Sequence, residues 1–383
     1  MTSSTNHSLP DAASGLADAQ VGLSGTALRE VHYTISRDFL PVLEHLRASL
    51  LVSTYQAGKL VAVGRHGDEL VLSLHNFERA MGVAVGGPRG RIAVGARGQI
   101  WFLDSASDLA SQLEPRGRYD GCCLTRGAFV SGNIHGHEMA WQGDELWVVN
   151  TLFSCLSTLQ DGFSFVPRWR PRFISALAAE DRCHLNGLAL RDGRPAFVTA
   201  MAQSDTPAGW RPTKATSGCV IDVPSGEIVA QGLAMPHSPR WHNQRLWVLD
   251  SGKGRLAVVD LPSGRVETVC EVPGYTRGLA FCGQFAFVGM SKIRETSVFG
   301  GVPIAEQRDA LKCGVAVIDL TTGQAVAFIQ FQAGVDEIFD VQVWPGVTAP
   351  ALCGPFPDLD GMQDIWLVPR EDQVEELVRQ RRP

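Results

Sequence analysis

The chain has 383 residues, 45% of them hydrophobic and 19% charged, with a formal net charge of -6. That much apolar content builds a large core and excludes a chain disordered throughout, while the acidic balance argues against a general nucleic-acid binder, whose footprint is basic. Forty glycines suit a chain of many tight turns, and nine cysteines without a C-x-x-C pair indicate neither a disulfide framework nor a zinc knuckle.

Residues 1–30 are rich in Ser, Ala, Gly and Asp and poor in large apolar side chains, so a disordered tail is expected there. They form no signal peptide, and no window approaches the ~18 apolar residues a bilayer span requires. A protein of the cytoplasm without membrane contact is the expectation. Ser36 is placed to cap a short helix through Arg47, with Phe39, Leu43 and Leu46 on one face. The segment LLVSTYQAGKLVAVGRHGDELVLSL over 50–74 then supplies strands that lack an inner strand of their own. Residues 371–383 read as a short C-terminal helix or tail.

Between these ends one unit recurs: an apolar strand, a polar turn and a second apolar strand. It appears as MGVAVGGPRGRIAVG from Met81, HEMAWQGDELWVVN from His137 and NGLALRDGRPAFVTA from Asn186. It returns as HSPRWHNQRLWVLDS from His237, RGLAFCGQFAFVGMS from Arg277 and, shorter, FDVQVWPG from Phe339. Units of this size closed by Gly-Asp, Asp-Gly and Ser-Gly turns are the signature of propeller blades. The fold expected is all-β: a six-bladed β-propeller of four-stranded blades forming one domain over 31–370. The N-terminal strands complete the last blade and close the ring, which removes its exposed edges.

Aligning the units on Val83, Met139, Leu188, Pro239, Leu279 and Val341 exposes a constellation. Two positions earlier stand Met81, His137, Asn186, His237, Arg277 and Phe339; four positions earlier stand Arg79, His135, His184, Met235, Tyr275 and Glu337. Residues two apart on a strand share a face, so two stacked rings are expected at one channel mouth. They hold four of the ten histidines, which strand stability does not require.

Imidazoles meeting on an axis suit a transition metal, and His137, His184 and His237 are the expected ligands. His135, Glu138, Glu337 and Asp340 are the candidate acids and bases. Asn186, Arg79, Tyr275 and Arg277 are candidates for holding substrate, Arg277 by a bidentate grip on an anionic group. Trp210, in the long GWRPTK insert of the third blade, is placed to reach the mouth. A metal-free small-molecule site and a purely structural polar network remain alternatives. Arg168, Arg170 and Arg172 are expected on one face of an outer strand; Cys122 and Cys123 are vicinal and read as buried and inert. No phosphate loop, nucleophile elbow or dinucleotide fingerprint is present, so no nucleotide cofactor is expected.

Through LLVSTYQAGKL, AMGVAV, HEMAW, HLNGLAL, MPHSPRWHNQRLWVLDSG and GYTRGLAF the chain resembles an uncharacterised bacterial family of conserved hypothetical proteins, which brings no assigned reaction. More distantly, HSPRW and NGLAL are similar to blade starts of the gluconolactonase and senescence-marker lactonases, six-bladed propellers grouped with strictosidine-synthase-like proteins. That likeness implies a divalent ion held by Glu, Asn and Asp. Here Asn186 matches an Asn and His237 stands in place of a Glu, while His137 and Arg277 replace oxygen ligands. Imidazole favours zinc, iron, copper or manganese over calcium. The function expected is a metal-dependent, lactonase-like hydrolase acting on a small anionic molecule, with metal-dependent oxygenation less favoured. The alternative is a non-catalytic propeller that binds a small molecule or a protein.

Overall fold

The computed structural model describes residues 30–293 and 300–371, together with 12–13, 373–374 and 379. The expected N-terminal tail and C-terminal helix therefore lie largely outside the described residues. The rest is a six-bladed β-propeller. The first three blades have inner strands Val83–Ala84, Gly136–Gln142 and Leu185–Arg191. The next three have Pro236–His242, Tyr275–Cys282 and Asp340–Pro345. Ring closure is as the sequence indicates: Asp340–Pro345 pairs with Ala48–Thr54, and Lys59–His66 and Glu69–Asn76 complete blade six.

Two blades exceed four strands. Pro350–Cys353 adds in parallel to Gly121–Val130 at the rim of blade one. His32–Ser36 adds to Gln324–Ala333 of blade five, and Ala12–Ala13 pairs with it in turn. The first helix, Phe39–Leu46, starts later than expected, because Ser36 ends a strand and its hydroxyl accepts the Phe328 N–H instead of capping. The helix buries Phe39, Val42 and Leu43 against blades five and six, and Arg47 ends it in the left-handed region.

Hairpin chemistry explains the inner turns. Asp192 and Gly193 both have positive φ, as do Asn243 and Gln244, which matches the right-handed twist of the strands they join. Each sheet is covered on both faces by its neighbours, so strands such as GVAVID are apolar on consecutive residues and not alternately. Apolar clusters fill the wedges between blades, as where Leu156 and Val149 of blade two meet Leu188 and Val198 of blade three.

The six seams near the axis are closed by two devices in alternation. On even blades a side chain reaches a backbone N–H of the next blade. Glu138 accepts from Leu188 at 2.8 Å, Ser238 from Gly278 at 3.1 Å and Asp340 from Val83 at 2.8 Å. On odd blades a glycine lets the next blade approach closely. A Cβ on Gly82 would stand 2.5 Å from the His137 carbonyl oxygen, one on Gly187 2.2 Å from Pro239 Cδ, and one on Gly278 2.4 Å from the Val341 nitrogen.

Gly187→Ala is expected to lower stability by roughly 1–3 kcal/mol through overpacking at the seam between blades three and four. Gly127→Ala, at a position with nothing within 4 Å of the new Cβ, is expected to be near neutral. Urea denaturation of the two variants checks this; equal midpoints would remove the seam argument.

Candidate functional site

The six residues two before the alignment point are all buried around one channel mouth: Met81, His137, Asn186, His237, Arg277 and Phe339. Their neighbours knit them together. The His137 ring lies 4.8 Å from that of His184 and 5.2 Å from that of Phe339. Arg277 lies over Phe339, its guanidinium carbon 3.4 Å from the ring centroid, with Glu337 Oε1 3.6 Å from its Nη1. Tyr55 stacks on Phe339 and its hydroxyl accepts from Arg79.

The second set is not a strand ring. Arg79, His135, His184 and Met235 have φ of 55°, 53°, 50° and 49°, so each is left-handed, the last three immediately before their inner strands and Arg79 four residues before Val83. Tyr275 lies within its strand and Glu337 precedes one. A left-handed residue with a side chain costs about 1–2 kcal/mol, and histidine is among the residue types enriched there. The turn directs each side chain independently of strand alternation. It sets His184 against Trp210, at 4.3 Å between ring centroids, and leaves Arg79 exposed at the rim.

The imidazole protons follow from their partners. His137 Nδ1 lies 3.0 Å from the His135 carbonyl oxygen and 2.7 Å from Thr151 Oγ1, whose own proton goes to the Leu185 carbonyl. His237 Nδ1 lies 3.0 Å from the Met235 carbonyl oxygen and 3.1 Å from Ser251 Oγ. A carbonyl only accepts, so both Nδ1 atoms carry a proton and donate. His184 Nδ1 donates likewise to the Asp181 carboxylate, which also receives Trp210 Nε1–H.

Burial, then the Arg277 charge, holds His137 and His237 well below the usual imidazole range, so both are neutral. Their Nε2 atoms keep a lone pair. Neither atom has a hydrogen-bond partner among the described residues, and neither is sealed from solvent. Asn186 Oδ1 accepts from Thr199 while its Nδ2 is buried without a partner.

Glu138 and Asp340, expected as acids or bases, are held by the frame. Besides the seam bonds, Glu138 Oε2 accepts from Arg240 Nη1 at 2.9 Å, and Asp340 Oδ1 lies 3.8 Å from Arg240 Nη2. Burial, with the Glu138 charge nearby, pushes Asp340 up to about 7. Arg240 also donates to the carbonyls of Leu188, Pro239 and Leu279. Trp210, expected at a ligand, instead backs His184 from within an apolar cluster. Of the arginine trio only Arg168 lies in the outer strand Val166–Trp169, paired with Glu145. All nine cysteines are reduced; burial pushes the thiols of Cys122 and Cys183 up to about 11 and about 12.

Sequence reasoning missed Tyr55, Thr151, Asp181, Arg240 and Ser251. One signal was available: a hydroxyl follows His137 and His237 by 14 residues each, as Thr151 and Ser251. Among the described residues no three or more His, Cys, Asp or Glu side chains lie close enough to share a metal ion. The expected His137–His184–His237 ligand set gains no support from that. No helix among the described residues is long and apolar enough to cross a membrane.

Over residues 37–353 the chain matches a domain of unknown function (DUF4915), and it belongs to that family. No curated protein matches it in sequence. Among solved structures it is similar to a chain of a nidogen/laminin complex, with 11% identity and a TM-score of 0.48, over 78% of this chain and 99% of that one. It is also similar to a gluconolactonase, XC5397 from Xanthomonas campestris. That pair shares 15% identity with a TM-score of 0.47, over 74% of this chain and 88% of that one.

The two buried imidazoles give a pH dependence with a definite sign. Their folded pKa lies below the ordinary 6.5, so the unfolded chain binds more protons and stability falls as pH drops below about 6.5. Asp340 acts oppositely: its raised pKa makes stability fall as pH rises from about 4 through about 7. Denaturant unfolding from pH 7.5 to 5 should show a shallower acid loss in His237→Gln and a steeper one in Asp340→Asn. Parallel profiles for all three proteins would contradict the assignment.

Proposed function

We propose that the protein is a hydrolase of small anionic molecules, working at this channel mouth on an ester or lactone bond. The observation that carries the reading is the shared tautomer of His137 and His237. Each is anchored through Nδ1–H and presents a free Nε2 lone pair beside the Arg277 guanidinium. In this reading Nε2 of His137 or His237 accepts a proton from water as the water oxygen bonds to the acyl carbon. The carbon–oxygen bond to the alcohol then breaks, and the same proton passes to the departing alkoxide. Arg277 is the donor for the developing oxyanion or for a substrate carboxylate. Glu138, Arg240 and Asp340 are positioning residues that hold the strands carrying this ring.

The Nδ1 anchoring also favours a second reading, because a metal-bound imidazole is held by just such a bond from its other nitrogen. His137, His184 and His237 would hold a transition ion, which would supply an activated water. Against it stand the spacing of the donors and the buried cation of Arg277 next to the same rings.

A pH-stat assay across esters and lactones with and without a carboxylate, run beside elemental analysis of the protein, tests both. At least one of His137→Gln and His237→Gln should lower kcat by about 100-fold or more with the fold intact, and Arg277→Gln should raise KM for anionic substrates. Near-stoichiometric metal lost from the His variants would move the assignment to the second reading. Turnover of nothing in the panel, or wild-type rates in both His variants, would overturn the hydrolase.

A further inference from the structure

The hydrogen-bonding character of the mouth narrows what it can hold. A mobile histidine offers either tautomer to a ligand, but His137 and His237 are fixed by backbone carbonyls that can only accept. Both therefore present acceptors to the channel, from opposite sides of Asn186 in the ring order. The donor is a different group: Arg277, over the Phe339 ring and 3.6 Å from Glu337 Oε1. Arg79 adds a second guanidinium at the rim.

A simple carboxylate satisfies Arg277 but leaves both imidazole lone pairs without donors. An ammonium group would satisfy the lone pairs but would sit against a buried cation. A neutral hydroxyl does neither harm: it donates to Nε2 through O–H and carries no charge to oppose Arg277. We propose that the ligand of this mouth is a hydroxylated carboxylate, bound with its carboxylate on Arg277 and a hydroxyl donating to Nε2 of His137 or His237, the other imidazole staying open to water. The proposal rests on the preceding reading only in taking the mouth as a small-molecule site; it concerns binding and requires no turnover.

Matched sets of probes isolate the two halves of the recognition. Quinate carries a ring carboxylate and hydroxyls, cyclohexanecarboxylate only the charge, and myo-inositol only the hydroxyls. Glycerate, propionate and glycerol repeat the comparison at three carbons. Isothermal titration calorimetry on the full chain should show quinate or glycerate binding at least tenfold more tightly than the matched compound that lacks either feature.

In Arg277→Gln the hydroxy acid should lose at least tenfold in affinity. In at least one of His137→Phe and His237→Phe, which keep an aromatic ring but remove the acceptor, its advantage over the plain carboxylate should shrink. Nitrogen-15 NMR of labelled histidines should show the unprotonated Nε2 resonance of His137 or His237 shifting when the hydroxy acid is added and staying still with the plain acid.

Plain carboxylates that bind as well as their hydroxy counterparts in both sets, or hydroxy acids that bind in neither, would overturn the proposal without any variant having to fold. Tight binding with no hydrolysis of any ester would sink the hydrolase and leave this proposal standing. Hydrolysis confined to esters without hydroxyls would do the reverse.

Discussion

The guanidinium of Arg240 sits where five of the six blades can reach it. It donates to Glu138 of blade two and to the carbonyls of Leu188, Pro239 and Leu279 on blades three, four and five, and it faces Asp340 of blade six. The two carboxylates it joins are the same ones that accept the Leu188 and Val83 backbone N–H groups across two seams. A propeller has no inner layer of side chains to lock its blades at the axis, and here the half-buried Arg240 guanidinium with the Glu138 and Asp340 carboxyl groups takes that place. Such a cluster is favourable only as a whole. Removing one member leaves the others charged and out of water, at a cost of about 3–5 kcal/mol.

The same frame determines what the mouth can do. The inner strands of blades two, four and five shift register just after the ring residue. The shift lets His137 and Glu138, or His237 and Ser238, which are adjacent in sequence, serve the ligand side and the seam side. Strict alternation would have turned one of each pair into the wedge between blades. The imidazoles are thus held from beneath by the hub and from behind by their own Nδ1 anchors. A ligand that arrives meets fixed lone pairs and loses little to reorganisation.

The parts legible in the sequence are those that repeat. Six copies of one hairpin unit gave the blade number, and the missing inner strand over 50–74 gave the closure onto Asp340–Pro345. The ring containing His137, Asn186, His237 and Arg277 followed from equivalence alone. What did not follow were features that break the repeat. Arg79, His135 and His184 adopt left-handed turns, which no period-two pattern encodes. Trp210 comes from an insert, and its packing on His184 depends on how that loop folds back. Arg240 lies between Pro239 and Trp241 in its strand, and nothing local distinguishes a hub from a snorkelling surface arginine. Thr151 and Ser251 were within reach, because their shared 14-residue spacing from a ring histidine is itself a repeat.

Arg277 links the electrostatics of the site to its selectivity. Burial pulls its pKa down even though Glu337 and the Phe339 face support the charge, so the guanidinium is under-solvated. That same charge is a principal reason why His137 and His237 stay neutral. An anionic ligand placed on Arg277 would offset its field at both rings at once and make them better proton acceptors at the moment a substrate is present. Cation, neutral imidazoles and acceptor atoms therefore form one arrangement: under the proposed function, the feature that would select a negatively charged molecule would also set the basicity of the groups acting on it.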